Sequence, residues 1–433
     1  MSCGRHHDVR YSTRVCLPGS AGATRGAGRD GPTVPSSGPR TAVTPSRMRG
    51  MCPDLQLTDL ELAPTATGGV PGRAVNGLSC TVAPGQVVAV IGETGFGGTR
   101  LARAVVGLDE PAGGRISFGA HQWSADEAPC AFVPSGGGLI PQLSLRRNML
   151  FGARMREEIR AREESTAGWL ERRRIRWRRY GQDSEQVDRM LSAFQLSAVE
   201  RYVPDRVSAA QRMLTALGRA LLHGRPVLVV DATGGQEPDG AYVQLLDQAR
   251  AQRPDLAVLL CTDRPGLLRA RTDPYAIDWV VVVGYRGTVV TQGPPAMVAR
   301  PGSVDAAAVL YGDPMLVVPV DDWPTEWGAP GPAAPGADWM VVGAPATTGT
   351  GTASRARGSQ LVVEVLGRHE RPRFHRVRAV AGGRRDWLLR LRTPVPVGHR
   401  VRVSATPGRA IRVPLNAAAP STPVPPDGAE VAS

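Results

Sequence analysis

Apolar and polar residues alternate along 55–62 (LQLTDLEL), which predicts a strand with one face buried. A Gly/Pro-rich turn leads to a second strand over 74–82. From Val87 to Ile91 the chain is apolar without a break and mostly β-branched, the pattern of a short strand covered on both faces. Glycines at 92, 95 and 97 end that run, and an amphipathic, helix-like stretch opens at Thr99. Gly107 and Pro111–Gly114 make a turn ahead of a short strand over 115–118. Helical pattern occupies about 148–205, and apolar runs near 226–230 and 277–284 have strand length. None approaches the roughly 18–20 apolar residues of a membrane span. Beyond 359 the segments SQLVVEVLG, FHRVRAVAG, DWLLRLRT and HRVRVSAT alternate, with Gly or Pro between them, and predict a small antiparallel barrel over 355–415.

Strand, glycine loop and helix in that order form the context of a phosphate-binding loop. Its glycines turn backbone N–H groups inward around an anion, and the helix N-terminus adds favourable partial charge. Against the pattern G-x-x-x-x-G-K-[ST], Gly92, Gly97 and Thr99 fall in register, and Gly95 stands where many such loops carry a glycine. The lysine position is Gly98. The loop keeps its backbone signature and lacks its main charge contact.

Composition changes the picture in two places. All 52 basic residues are arginine, so compositional bias supplies a simple origin for the missing lysine. The charge is also uneven: 1–50 carries eight Arg and two Asp, and 355–412 carries fifteen Arg and three acids, which leaves the body between them slightly acidic. Residues 1–50 and 416–433 have no apolar periodicity and are expected to be disordered, and 312–354 reads as a Pro/Gly-rich linker with one strand at 338–342. Met48 and Met51 are alternative starts to Met1, and no apolar core of a signal peptide is expected at the N-terminus. The six cysteines lack C-x-x-C spacing, so neither a disulfide framework nor a zinc site is expected, and a reducing cytosol is. The stretch 164–184 interleaves arginine with Trp169, Trp177 and Tyr180; a solvated helix face, a membrane-facing surface and RNA contact are its three readings.

Several longer stretches resemble the nucleotide-binding subunits of ATP-binding-cassette (ABC) transporters. GLDEPAGGRISFGAH (107–121) follows the loop as in that family, and AFVPSGGGLIPQLSLRRNM (131–149) is similar to its glutamine-loop region, with Ser135 at the glutamine. VSAAQRMLTALGRALLHGRPVLVVDAT (207–233) is similar to the signature loop, its helix and the Walker B strand. Ser208 and Gln211 match the signature, while its glycines are Ala209 and Ala210. Asp231 matches the Walker B aspartate, the catalytic glutamate position is Ala232, and the switch histidine position is Asp263 in LAVLLCTDRP (256–265). DWVVVVGYRGTVVTQGPPAMVARPG (278–302) resembles the closing hairpin, and Ala63-Pro64 stands where the family has an adenine-stacking aromatic. The ending G-x-R-V-x-V at 398–403 resembles the OB-like (TOBE) modules of importers for sugars, polyamines, iron, sulfate and molybdate.

The resemblance implies an α/β P-loop cassette over 51–311, with a helical subdomain at about 148–205 and the OB-like module after it. It implies ATP held by Gly92, Gly95, Gly97, Gly98 and Thr99, with Ser208 and Gln211 serving the facing copy, and Mg²⁺ held by Thr99 and Asp231. It also implies transmembrane permease partners, a homodimer or heterodimer of cassettes, and a place on the inner face of the cell membrane. No specific nucleic-acid partner is expected. With the lysine, glutamate, histidine, glutamine and signature glycines replaced, hydrolysis is expected to be weak or absent. A regulatory or binding protein that reuses the fold, and an ATPase with compensating residues, are the alternatives. Restoring Gly98→Lys, Ala232→Glu and Asp263→His is expected to recover nucleotide affinity first.

Overall fold

A computed structural model of the chain describes residues 54–63, 75–119, 121–122, 129–163, 183–269, 277–298, 301–311, 315–319, 321, 339–343, 346–348, 360–369, 373–380, 386–391, 395–404 and 411–413. The two expected tails and most of the arginine-rich stretch 164–184 lie outside them.

The strands in chain order are β1 (Leu55–Leu62), β2 (Val75–Val82), β3 (Val87–Gly92), β4 (Gly113–Phe118), β5 (His121–Gln122), β6 (Cys130–Val133), β7 (Val227–Ala232), β8 (Ala257–Thr262), β9 (Trp279–Val283) and β10 (Val289–Gly293). The helices that matter here are α1 (Gly98–Val105), α2 (Leu145–Glu163), α3 (183–193), α4 (Ala209–His223) and α5 (Asp239–Gln252). The central sheet runs β10-β9-β3-β8-β7-β6, parallel except for the β9–β10 hairpin. Its inner strands β3, β7 and β8 are buried on both faces, which is why they read as apolar runs.

Alternate residues of β3 enter different layers. Val87, Ala89 and Ile91 pack with α4 and α5, whereas Val88 and Val90 pack with α1 and a second sheet, β2-β1-β4-β5. The alternation of β1 slips once. Thr58 and Asp59 both point outward because Asp59 takes a left-handed φ of 47° and the register shifts between Leu57 and Leu60. The Ser79 hydroxyl, which accepts from the Asp59 amide at 2.8 Å, holds this bulge. Among the described residues Cys80, Cys130 and Cys261 are free and buried, and burial raises their thiols, Cys80 to about 12, so they pack as small apolar groups.

The C-terminal region departs from expectation. β11 (Met315–Pro319), β12 (Trp339–Gly343) and β13 (Ala346–Thr348) all fall in the segment read as linker, where β12 answers to the strand expected at 338–342 and β11 and β13 were not expected. They join β14 (Gln360–Arg368), β15 (Phe374–Ala379), β16 (Trp387–Arg390), β17 (Arg400–Ser404) and β18 (Ile411–Val413). Among the described residues these eight make one antiparallel sheet, β13-β17-β14-β15-β16-β11-β12-β18. A Pro/Gly-rich surround masked β11, whose five residues are all buried. The short helix α6 (Gly266–Arg269) precedes β9, and α7 (Pro295–Val298) and α8 (Val304–Tyr311) stand between β10 and β11. α8 shares a small core with the sheet through Val304, Ala307, Ala308, Met315, Val317, Phe374 and Leu388.

Within this sheet His375 is 2% exposed, and its Nε2 accepts the Val395 amide at 3.3 Å. Burial, followed by Arg368 nearby, pushes its pKa below the ordinary 6.5. A depressed folded pKa means the neutral ring stabilises the fold above the unfolded pKa, and this stabilisation is lost as pH falls through the folded value. The melting temperature is therefore expected to hold down to about pH 6.5 and to decline below it. His375→Gln, which keeps an acceptor but does not titrate, should flatten that decline; equal acid slopes in both proteins would refute it.

Candidate functional site

The glycine loop leaves β3 at Gly92 and enters α1 at Gly98. Gly95 and Gly97 have φ of 84° and 100°, conformations that suit only glycine at low cost, and Gly97 precedes the first helical residue. The Phe96 amide donates to the Glu93 carbonyl at 2.8 Å, and the Leu101 amide to Gly97 at 2.9 Å. These bonds curl the backbone as a phosphate cradle requires.

The side chains within the curl differ from that requirement. Phe96 is 1% exposed and packs in the α1 core layer, its ring lying against Gly92 and Gly98. A Cβ built at Gly98 would come within 2.6 Å of Phe96 Cζ and 2.6 Å of Thr233 Cγ2. The absence of the lysine and the presence of the phenylalanine are thus one packing arrangement. The expected recovery of affinity when Gly98→Lys is made together with Ala232→Glu and Asp263→His meets an obstacle here, because the lysine stem has no room beside Phe96 and Thr233.

β7 delivers Asp231, 1% exposed, to the floor of the loop. Its Oδ1 accepts from the Thr233 amide at 3.0 Å and from the Thr233 hydroxyl. Thr233 Oγ1 lies 2.6 Å from Thr99 Oγ1. Since Thr233 donates to the aspartate, it takes the hydrogen of Thr99. The two groups expected to share Mg²⁺ are therefore joined by a hydroxyl of the chain itself. Thr233 was missed in the sequence, where its signal is position: two residues after an aspartate, in reach of that carboxylate.

Neighbouring loops close on the same point. Ser135, at the glutamine position, donates to the Thr233 carbonyl at 3.0 Å. Asp263 accepts from the Gly234 amide at 3.3 Å, so the switch position bonds to the loop after β7. Next to it Arg264 donates to the carbonyls of Gly235 and Glu237, lies 3.2 Å from Asp239 Oδ1, and stands 5.4 Å over the Tyr242 ring. Burial first and the nearby Glu237 second keep the Tyr242 phenol protonated far above its ordinary range. Ala232 is fully buried in the core layer of α4 and α5, where a glutamate would have to bury a charge.

The signature residues do not join this cluster. Ser208 caps α4: its hydroxyl accepts from the Gln211 amide at 3.2 Å, and Gln211 Oε1 accepts from the Ser208 amide at 2.9 Å. This reciprocal pair is a capping box, with Ala209 and Ala210 in the first turn. The structure thus gathers Gly92, Gly95, Gly97, Gly98, Thr99, Asp231 and Asp263, and leaves Ser208 and Gln211 bonded to each other.

Comparison with known proteins adds the family. Residues 75–233 match the family model described as ABC transporter. The "Sulfate/thiosulfate import ATP-binding protein CysA" of Xylella fastidiosa (strain 9a5c) is 32% identical over 171 residues, 39% of this chain and 43% of that protein. The "Methionine import ATP-binding protein MetN" of Cereibacter sphaeroides is 30% identical over 233 residues, 52% of this chain and 60% of that protein. The chain thus spans less than two thirds of either relative's length. Among solved structures, cbiO1 from Clostridium perfringens, part of the ABC transporter complex cbiONQ, aligns with a TM-score of 0.42 at 18% identity, over 57% of this chain and 90% of that one. With the glycine loop and β7 arranged as described and the match running through both, residues 75–233 carry an ABC transporter ATP-binding domain.

Proposed function

We propose that the chain is the ATP-binding subunit of an ABC-type importer in which nucleotide binding and hydrolysis are weakened or lost. The importer half of this reading is supported by the relatives, which are named for import of sulfate/thiosulfate and of methionine. The loss is carried by one observation: Phe96 and Thr233 fill the space at Gly98, where the lysine stem would run. ATP with Mg²⁺ does not fit this site as it stands. Thr233 bridges Thr99 to Asp231, and the charged contact of the loop is gone.

The remaining departures point the same way. Asp263 and Ala232 supply neither the positive nor the general-base group that phosphoryl transfer uses. Ala209 and Ala210 add methyl groups where a signature loop of a facing cassette approaches phosphate by its backbone. The subunit's role is then to hold a transporter together beside a competent second cassette and transmembrane permease subunits, at the inner face of the cell membrane. Among the described residues no helix is long and apolar enough to cross a membrane. In this reading the cassette is 51–311, and the module expected over 355–415 shares its sheet with β11, β12 and β13.

The test is ATP binding by calorimetry with phosphate release from the full chain. We expect no saturable heat and no turnover above background. Turnover of about 1 s⁻¹ or more, abolished by Asp231→Asn, would reject this reading in favour of compensating residues.

A further inference from the structure

Arg390, the last residue of β16, is 2% exposed, and its partner Glu93 opens the glycine loop with a side chain 4% exposed. Arg390 Nη2 lies 3.3 Å from Glu93 Oε1. Nη1 donates to the carbonyl of Ala308 on α8, and the guanidinium stands 5.9 Å over the Phe374 ring of β15. One planar cation therefore joins the loop, α8 and two strands of the C-terminal sheet. The guanidinium suits this task because its fork of donors serves a carboxylate and a carbonyl while its face stacks on an aromatic ring.

Burying two charges is costly, and removing either takes away a charged partner of the other. Glu93 is also tied by its carbonyl to the amide of Phe96, the residue that fills the curl. The path from the sheet to the interior of the loop is thus continuous: Arg390, Glu93, Phe96, Gly98.

We propose that Arg390 latches the glycine loop to the C-terminal sheet, so that the conformation of the loop and the seating of the sheet form one coupled equilibrium. The latch gives the basic C-terminal module a regulatory hold on the cassette within the same chain. It stands whether or not the loop binds nucleotide. Because coupling is reciprocal, loosening either end must loosen the other.

The test is hydrogen–deuterium exchange on the full chain without nucleotide, comparing wild type, Arg390→Met, Glu93→Gln and the double variant. Arg390→Met should speed exchange at 93–98 roughly tenfold, and Glu93→Gln should do the same at 387–390. The double variant should exchange no faster than the faster single one, since both remove the same pair. Acceleration confined to the mutated side, or effects that add in the double variant, would overturn the latch. If Arg390→Met does not fold, Glu93→Gln decides alone through the strand 387–390.

Discussion

Gly98→Lys is expected to destabilise the chain by about 1–3 kcal/mol, the usual cost of forcing extra atoms into a packed interior. The built Cβ meets an aromatic ring on one side and Thr233 on the other, and that ring is held in the α1 core layer. Phe96→Ser should cost more, about 3–5 kcal/mol, because it empties the space of a buried aromatic side chain. The two changes touch, so their effects will not add. The double variant is expected to be more stable than Phe96→Ser alone, since the lysine stem occupies part of the emptied volume. Only the double variant should gain affinity for ATP, seen as saturable heat in calorimetry. A Gly98→Lys protein as stable as wild type that binds ATP on its own would show that Phe96 yields, and that it does not block the site. Adding Ala232→Glu should lower stability again, for it places a carboxylate in the α4–α5 core layer.

Arg219→Met is expected to cost about 1.5–3 kcal/mol, the value of hydrogen bonds made by a charged group. Arg219 lies on α4 and donates to the carbonyls of Gly138 at 2.8 Å and Gly137 at 3.0 Å. Gly136, Gly137 and Gly138 all have positive φ, so three successive carbonyls leave the path of any regular ladder. Arg219 satisfies two of them and fixes the turn that begins at Ser135, which in turn bonds to Thr233. Burial lowers the Arg219 pKa, a sign that the cation is held there against its hydration. Arg219→Lys, with a point charge in place of a fork, should fall between wild type and Arg219→Met. Chemical denaturation of the three proteins checks the order; changes within about 0.5 kcal/mol for both variants would reduce Arg219 to an ordinary surface residue.

Much of the cassette was legible in the chain alone. The runs at 87–91, 227–230 and 277–284 identify strands because a parallel sheet covered on both faces tolerates few polar residues. The loop at 92–99 was legible because glycine at 95 and 97 answers a local backbone demand, and local demands are written at the positions that make them. Ser208 and Gln211 were noticed from their spacing, although that spacing serves a capping box. What the tertiary structure alone decided lies between segments distant in sequence. Phe96 reads as one aromatic residue in a loop until Gly98 and Thr233 are placed beside its ring. β11, inside the expected linker, becomes a strand only when β12 and β16 pair with both its edges, since five residues cannot hold a strand by propensity. Arg390 is one of fifteen arginines in a basic stretch, and no pattern separates it from the rest. Only the fold, by removing it and Glu93 together from water, turns it from a solvated charge into one that must have a partner.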